Sequence, residues 1–250
     1  PDTNENHGIQ LEQYVGAIVL RNEKEAILAL ENGFYYLNFE TERVTLIDEP
    51  ENHLPNNRFN DGKCDAYGRF WAGTMNKFYA KEQGALYCLH TNMKVQKKLD
   101  KVGLSNGIAW SPDNKYMYYI DTLNKNICQF NYNIASGDIE SPIDIIRFPD
   151  GEGMPDGMTV DEEGMLWIAH WGGSKVSRWN PKTGKQINSI KVPALNVTSC
   201  TFGGKNLNEL YITTARKGLN REQIDSHPFS GGIFRIKTDV RGSHSYVFKG

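Results

Sequence analysis

The chain has 250 residues, a formal net charge of −2 and a hydrophobic content of 39%. This length suits one large domain, 1–250, with a sizeable core. The near-neutral charge argues against nucleic acid or an anionic membrane as a partner. No apolar run approaches the roughly 20 residues that span a bilayer, and no secretory signal is visible, so we expect a cytoplasmic protein. The scattered cysteines lack metal-binding spacing and are predicted to be free, buried thiols: Cys64, Cys88, Cys128 and Cys200.

Short strands are the predicted elements, because alternating, β-branched and aromatic runs dominate and helical periodicity is weak. A polar entry, Pro1–His7, precedes the first unit, whose strands are predicted at Gln10–Leu20, Glu25–Leu30, Gly33–Leu37 and Arg43–Ile47. The second unit starts at Phe59 and continues through Phe70–Met75, Gly84–Leu89 and Lys94–Leu99.

Three further units follow without a linker. The third is predicted at Gly107–Trp110, Tyr116–Asp121, Asn126–Tyr132 and Asp144–Phe148. The fourth is predicted at Met158–Val160, Leu166–His170, Lys175–Asn180 and Gln186–Lys191. The fifth is predicted at Thr198–Phe202, Glu209–Thr214, Gly231–Ile236 and Ser245–Phe248.

A repeat relates these units to one another. Three turn aspartates recur 48 residues apart: Asp65, Asp113 and Asp161. Three aromatic residues, which we expect in the core, keep the same step: Trp71, Tyr119 and Trp167. A period of about 40–50 residues built from short strands is typical of β-propeller blades, and the chain contains about five such units.

At the start of three successive units, a polar residue directly precedes a glycine: Asp61, Asn106 and Asp156. Since the inner strands of a propeller begin near its axis, we expect these side chains to converge there. Oxygen donors without His or Cys suit a hard divalent cation such as Ca²⁺ or Mg²⁺. Arg58 can hold a hydroxyl-rich or anionic ligand, and Asn60 shares its strand face. This set predicts metal-assisted hydrolysis of a small polar ester.

Plainer interpretations exist for each residue. Asp156 and Asn106 also suit ordinary turns, and Arg58 also suits a surface ion pair. Capping of backbone amides is favoured over metal binding for Asp61. Because Asn106 and Asp156 hold equivalent places in the repeat, a role in the site is favoured over the turn interpretation for both. We expect His170 to be a hydrogen-bonded structural residue.

Several motifs occur together in one order: Asn57–Lys63, Trp71–Met75, Leu104–Gly107, Tyr118–Asp121, Pro155–Met158, Thr198–Asn206 and Gly231–Phe234. With them, nearly the whole chain from Gly16 onward resembles the senescence marker protein/gluconolactonase/regucalcin family. The resemblance implies an all-β, six-bladed β-propeller with one divalent metal ion, Ca²⁺ first and Zn²⁺, Mn²⁺ or Mg²⁺ as alternatives. It also implies hydrolysis of sugar lactones such as gluconolactone.

The resemblance assigns roles residue by residue. Asn106 and Asp156 match metal ligands, and Asp156 also matches the residue assigned to proton transfer. Arg58 and Asn60 match substrate-binding positions.

Two departures from the family pattern matter. The third metal ligand of the family is a glutamate in a Gly-Glu-(Ser/Gly)-Pro motif near the N-terminus, and neither Glu5 nor Glu12 has those surroundings. We therefore expect a first blade of about 40–50 residues to precede Pro1. An acidic substrate contact of the regucalcin-type members falls here near Lys77 and Phe78, which leaves the substrate preference open.

The leading prediction is a metal-dependent lactonase that acts on a small-molecule sugar lactone. One alternative is a calcium-binding regulatory protein without turnover, and another is a propeller hydrolase acting on phosphotriesters. The identity of the lactone, the native metal and the oligomeric state are left open by the sequence.

Overall fold

A computed structural model describes residues 8–250, so the predicted entry Pro1–His7, including Glu5, lies outside the described residues. The chain is an all-β propeller in which five antiparallel sheets form the blades. Blade one contains β1 (Ala17–Asn22), β2 (Glu25–Ala29), β3 (Phe34–Asn38) and β4 (Val44–Asp48). Blade two contains β5 (Asn57–Cys64), β6 (Phe70–Asn76), β7 (Gly84–Leu89) and β8 (Val95–Val102).

The other blades follow in chain order. Blade three contains β9 (Ser105–Trp110), β10 (Tyr116–Asp121), β11 (Asn126–Asn133) and β12 (Asp138–Arg147), with a 3-10 turn at Thr122–Asn124 after β10. Blade four contains β13 (Met154–Val160), β14 (Leu166–Trp171), β15 (Lys175–Asn180) and β16 (Lys185–Lys191). Blade five has three strands, β17 (Asn196–Gly203), β18 (Glu209–Ala215) and β19 (Ile233–Lys237), and a helix, α1 (Arg221–Ser226), precedes β19.

The first strand of each blade lines a central channel, because β1, β5, β9, β13 and β17 contact one another in sequence. Apolar layers fill the space between neighbouring sheets. Blades one and two enclose Phe34, Phe59 and Phe70, and blades two and three enclose Trp71, Trp110 and Tyr119. Trp167 lies in the layer between blades four and five. The predicted core role of the repeated aromatic residues is thereby confirmed.

Two of the turn aspartates are buried anchors. The indole Nε1 of Trp71 donates to Asp65 Oδ2 at 2.8 Å, and that of Trp167 donates to Asp161 Oδ2 at 2.9 Å. Each aspartate therefore ties its turn to the strand that follows, and the recurrence of an aspartate six residues before a tryptophan reflects this bond.

In blade three the predicted equivalence of Asp113 is wrong. Ser111 takes the anchoring place, since its Oγ accepts from the Tyr116 amide at 3.0 Å. Asp113 is exposed and accepts from Ser111 Oγ at 2.7 Å. This turn closes from Ser111 to Tyr116 and is one residue longer than the Asp65–Arg69 turn, so the equal spacing of the three aspartates does not mark equivalent places.

The C-terminal residues leave blade five rather than completing it, so the predicted strand Ser245–Phe248 is wrong. Gly242 bridges to Asp161 in blade four. Phe248 is buried in the layer between blades one and two, and its amide donates to the Leu20 carbonyl at 2.8 Å. Burial of the Phe248 ring draws this segment across to blade one instead of along β19.

Within residues 8–250 no helix is long and apolar enough to cross a membrane. The four cysteines are free, as predicted. Three of them are buried, whereas Cys128 is only partly buried.

Candidate functional site

Each inner strand that carries a predicted site residue is irregular near its start. The pairing of β5 with β6 shifts between Phe59 and Asp61, which leaves Asn60 as the extra residue. Corresponding shifts occur where β9 pairs with β10 and where β13 pairs with β14, at Asn106 and Asp156 respectively. A β-bulge adds one residue and re-aims a side chain. These bulges turn polar side chains away from the apolar layers and toward the channel.

The residue equivalent to Asn106 and Asp156 is Asn60, and the prediction of Asp61 for that place is wrong by one position. Asn60, Asn106 and Asp156 each lie five residues before the residue whose amide closes the following turn: Asp65, Ser111 and Asp161. The bulge puts the residue before Asp61 at the place that Asn106 and Asp156 occupy in their blades.

One cavity of about 340 Å³ opens at this end of the channel, where the inner strands begin. Its lining includes four of the five residues that the sequence singled out, but not Asp61: Arg58, Asn60, Asn106 and Asp156. It also includes residues that the sequence did not single out, among them Tyr79, Thr122, Leu123, Trp171 and Lys217.

A chain of hydrogen bonds fixes Asn106 between three blades. Asn60 Nδ2 donates to Asn106 Oδ1 at 3.1 Å and to the Ser105 carbonyl at 2.8 Å. Asn106 Nδ2 donates to Thr122 Oγ1 at 2.7 Å, and that hydroxyl donates to the Pro155 carbonyl at 2.7 Å. The amide group of Asn106 is therefore held in one orientation, next to the residue that precedes Asp156.

Asp156 is a half-buried carboxyl at the cavity wall. Burial, and then the nearby carboxylate of Asp61, raise its pKa well above the usual value, while the Gly157 amide acts in the opposite direction. A charged Asp156 is thus short of compensating positive charge, and a bound cation would stabilise it.

Asp61 lies deeper in the channel and is not part of the cavity lining. Its Oδ1 accepts from the adjacent Gly62 amide at 2.7 Å, the kind of local bond expected from a capping role. Lys63 Nζ donates to the Met158 carbonyl at 2.6 Å. Burial raises the pKa of Asp61 and lowers that of Lys63, and each charge partly offsets the effect on the other.

Arg58 is half-buried and lines the cavity. One of its nitrogens donates to the Phe59 carbonyl at 2.9 Å. Burial lowers its pKa, with a smaller opposing influence from Tyr79 and then from Glu31. Among residues 8–250 Arg58 has no ion pair, so the surface-pair interpretation has no support, and its remaining N–H groups are free for a ligand.

The donors at the cavity suit a hard cation in part. Asn106 and Asp156 supply an amide oxygen and a carboxylate, both ligands that Ca²⁺ and Mg²⁺ accept. No group of three His, Cys, Asp or Glu residues able to hold a metal occurs in the described part of the chain. The residues present therefore fit an open metal site. Asn106 and Asp156 would be its two protein ligands, and water or substrate would supply the other ligands.

His170 does not reach this cavity. It is fully buried, with Nδ1 2.7 Å from the Glu152 carbonyl and Nε2 2.5 Å from Ser177 Oγ. Its predicted role as a hydrogen-bonded structural residue is confirmed.

Comparison with known proteins identifies the family to which this chain belongs. The profile of the family described as "SMP-30/Gluconolactonase/LRE-like region" matches residues 1–216. The chain belongs to this family. It is 38% identical over 250 residues to YvrE of Bacillus subtilis, which is named as a sugar lactone lactonase, with 100% of this chain and 86% of YvrE covered. It is 37% identical over 254 residues to human regucalcin, with 99% and 85% covered.

A solved structure agrees with the fold. The regucalcin of Agrobacterium tumefaciens, described as a calcium-binding protein, superimposes with a TM-score of 0.90 at 28% identity. The match covers 95% of this chain and 80% of that protein. The blades of this SMP-30/gluconolactonase family member are therefore arranged as in its structural relative.

Three of the cavity residues that the sequence did not single out lie at or just after the end of a second strand. Thr122 follows β10, Trp171 ends β14 and Lys217 follows β18. The end of the second strand in a blade returns to the edge at which the inner strand begins, since the two are antiparallel. The two residues after each predicted second strand therefore include Thr122 and Trp171, whereas Lys217 lies three residues after the predicted strand end at Thr214.

Proposed function

We propose that this protein is a metal-dependent hydrolase that opens sugar lactones, as gluconolactonases do. The observation that carries the proposal is the meeting of Asn60, Asn106 and Asp156, from three successive blades, with Arg58 around one cavity. A volume of about 340 Å³ lies in the range typical of small-molecule sites. Family membership supports a lactone as the substrate class.

Asn106 and Asp156 would hold the metal ion. A divalent cation bound there supplies a Lewis acid for the lactone carbonyl and lowers the pKa of a water molecule. We propose Ca²⁺ as the native ion, since the Agrobacterium relative is described as calcium-binding and the ligands are oxygens.

Asp156 is proposed as the residue that moves the proton. Its carboxylate accepts a proton from the attacking water and returns it to the ring oxygen as the acyl C–O bond breaks, so that this oxygen leaves as a hydroxyl. Burial and the nearby Asp61 raise the pKa of Asp156, and a bound cation would act in the opposite direction and keep the carboxylate charged.

Arg58 and Asn60 are proposed to orient the sugar. The free N–H groups of Arg58 donate to substrate oxygens. Asn60 uses its nitrogen on Asn106 and Ser105, which leaves its Oδ1 to accept from a sugar hydroxyl.

The test is hydrolysis of gluconolactone by the purified protein with added Ca²⁺, Zn²⁺, Mn²⁺ or Mg²⁺, beside an Asp156→Ala variant. We expect turnover that requires a divalent ion and is lost in the variant. Equal rates in the two proteins would overturn the proposal.

A second candidate is a calcium-binding protein without turnover. It is favoured by the fact that, in the described residues, Asp156 is the sole carboxylate lining the cavity. Calorimetry separates the two functions, since Ca²⁺ binding without hydrolysis of any lactone supports the binder.

We further propose that the ring holds a sixth blade, between blades five and one. The strand β1 exposes Ile18 and Leu20, each about half accessible, and β19 exposes Ile233 to 74%. A packed sheet would cover these apolar side chains. The intact mass of the protein from its source, compared with 28.3 kDa for these residues, tests the proposal.

We also propose a cytoplasmic location, which the four free cysteines support.

A further inference from the structure

Two cationic residues line the proposed substrate cavity from different blades. Arg58 comes from β5 in blade two, and Lys217 comes from the loop after β18 in blade five. Among the described residues Asp156 is the only acidic group in the lining, and it is already assigned to the metal ion and the proton. The remaining charge on the cavity wall is positive.

The two cations have no carboxylate partner of their own. Neither Arg58 nor Lys217 forms an ion pair within residues 8–250. Glu31 is the one carboxylate that influences the pKa of Arg58, and it is itself ion-paired with Lys77. Arg58 and Lys217 are therefore available to an anion from outside the chain.

The turn at Lys217 is exposed, and hydrogen bonds hold its backbone in place. The buried Asn196 donates from Nδ2 to the Lys217 carbonyl at 3.0 Å. Arg216 donates from Nε to the Ser230 carbonyl at 2.7 Å, and the Leu219 amide donates to the Arg216 carbonyl at 3.1 Å. Gly218 has φ of 78°, a left-handed turn conformation that suits glycine. The loop thus presents Lys217 to the cavity from a braced turn.

Asn60, Tyr79 and Trp171 can hydrogen-bond a neutral ligand, but they carry no charge that would favour it over an anion. Much of the lining is apolar: Met75, Leu104, Leu123 and Met154. Lysine and arginine are hydrogen-bond donors without acceptor capacity. A sugar hydroxyl both donates and accepts, whereas a carboxylate or phosphate only accepts and gains from both charges.

We propose that the preferred substrates are sugar lactones bearing an anionic group, a carboxylate or a phosphate, which Arg58 and Lys217 bind. This inference rests on the proposed lactonase function and adds the substrate class. Lys217 is the specificity residue, because Arg58 also matches a general substrate-binding position.

The first experiment compares three lactones under one metal condition. They are gluconolactone, its phosphate ester on the terminal carbon, and the analogous lactone whose terminal carbon is a carboxylate. We expect kcat/KM for at least one anionic lactone to exceed that of the neutral one by about tenfold or more, as for a charge-assisted hydrogen bond. The two anionic substrates identify which group is bound.

The second experiment tests Lys217 itself. In Lys217→Met the ratio of kcat/KM for the anionic lactone to that for gluconolactone should fall about tenfold, mainly through KM, and Lys217→Arg should restore most of it. Lys217→Glu should reverse the preference. The matched control is Lys182→Met, which removes one exposed positive charge at the turn between β15 and β16 and should keep the wild-type ratio.

The outcomes separate this inference from the proposed function. If none of the three lactones is hydrolysed with any metal, the lactonase proposal fails and this inference fails with it. If kcat/KM for gluconolactone equals that for both anionic lactones, the inference is overturned while the lactonase proposal stands. The same holds if the ratio of kcat/KM values is equal in Lys217→Met and Lys182→Met, since Lys217 would then not contact the substrate.

Discussion

Asn60 and Asn106 are hydrogen-bonded to each other across the boundary between blades two and three, with 3.1 Å between Asn60 Nδ2 and Asn106 Oδ1. They occupy equivalent bulge positions of their blades, and Asp156 occupies that of the next. The proposed metal ligand Asn106 is therefore oriented by the corresponding residue of a neighbouring blade. Groups that orient a ligand in this way influence metal affinity although they do not touch the ion.

Replacement of Asn60 by alanine should weaken metal binding. The Asn60→Ala variant loses the bond to Asn106 Oδ1 and the bond to the Ser105 carbonyl. We expect the dissociation constant of the metal to rise about tenfold or more, measured by calorimetry. Asn206→Ala, in an exposed turn between β17 and β18, serves as the control and should bind as the wild type does. Equal affinities in the two variants would show that Asn106 needs no support from Asn60.

Thr122 should matter for both stability and the site. Its buried hydroxyl joins Asn106 Nδ2 to the Pro155 carbonyl. Thr122→Val keeps the shape but leaves both groups unpaired, which should lower the free energy of unfolding by about 1–3 kcal/mol. Urea titration measures this loss. Thr122→Ser retains the hydroxyl and should recover most of it; a serine variant as unstable as the valine variant would assign the effect to packing of the methyl group.

Stability should fall at mildly acidic pH because of His170. Burial lowers the pKa of this histidine from 6.5 to about 4. The unfolded state therefore binds the proton first, so the stability contributed by neutral His170 is complete above pH 6.5 and is lost as the pH falls toward 4. The full shift corresponds to about 3 kcal/mol.

The measurement is the urea midpoint between pH 7 and pH 4, compared across variants. His170→Gln should lower stability at neutral pH and flatten the slope over this window, whereas His53→Gln, at an exposed position, should retain the slope. An unchanged slope in His170→Gln would assign the acid sensitivity to other groups.

The propeller and the places of Asn106 and Asp156 were predictable because both depend on strand periodicity, whereas Arg58 and Asn60 were identified from their chemistry and from the family resemblance. Strand spacing sets the blades, and antiparallel pairing brings their starts to one edge of the ring. The sequence predicted Asp61 for the site because a glycine follows it. The bulge at Asn60 could not be predicted in this way, because an extra residue in a strand changes the direction of the side chains but leaves no mark in the residue types. Phe248 was misassigned because alternation around it resembles a strand, while its partner layer lies between blades distant in sequence.

The turn aspartates give a direct test of the repeat register. Asp65 is fully buried, accepts from Trp71 and Tyr132 at 2.8 Å, and pairs with Arg69 at 2.7 Å. Asp65→Ala leaves the buried Arg69 guanidinium without its carboxylate, which should reduce the free energy of unfolding by about 3–5 kcal/mol. Asp113→Ala changes an exposed side chain and should cost no more than about 0.5 kcal/mol.

Unfolding in urea, with circular dichroism to check the fold, distinguishes these expectations. Ser111→Ala should fall between the two aspartate variants, at about 1 kcal/mol, because Ser111 Oγ rather than Asp113 bonds the Tyr116 amide. Equal losses in Asp65→Ala and Asp113→Ala would restore the 48-residue register of the sequence and contradict the placement of Ser111. The equivalence of Asn106 to Asn60 and Asp156 does not depend on that result, because the strand pairing of blade three places Asn106 at its bulge independently of the turn.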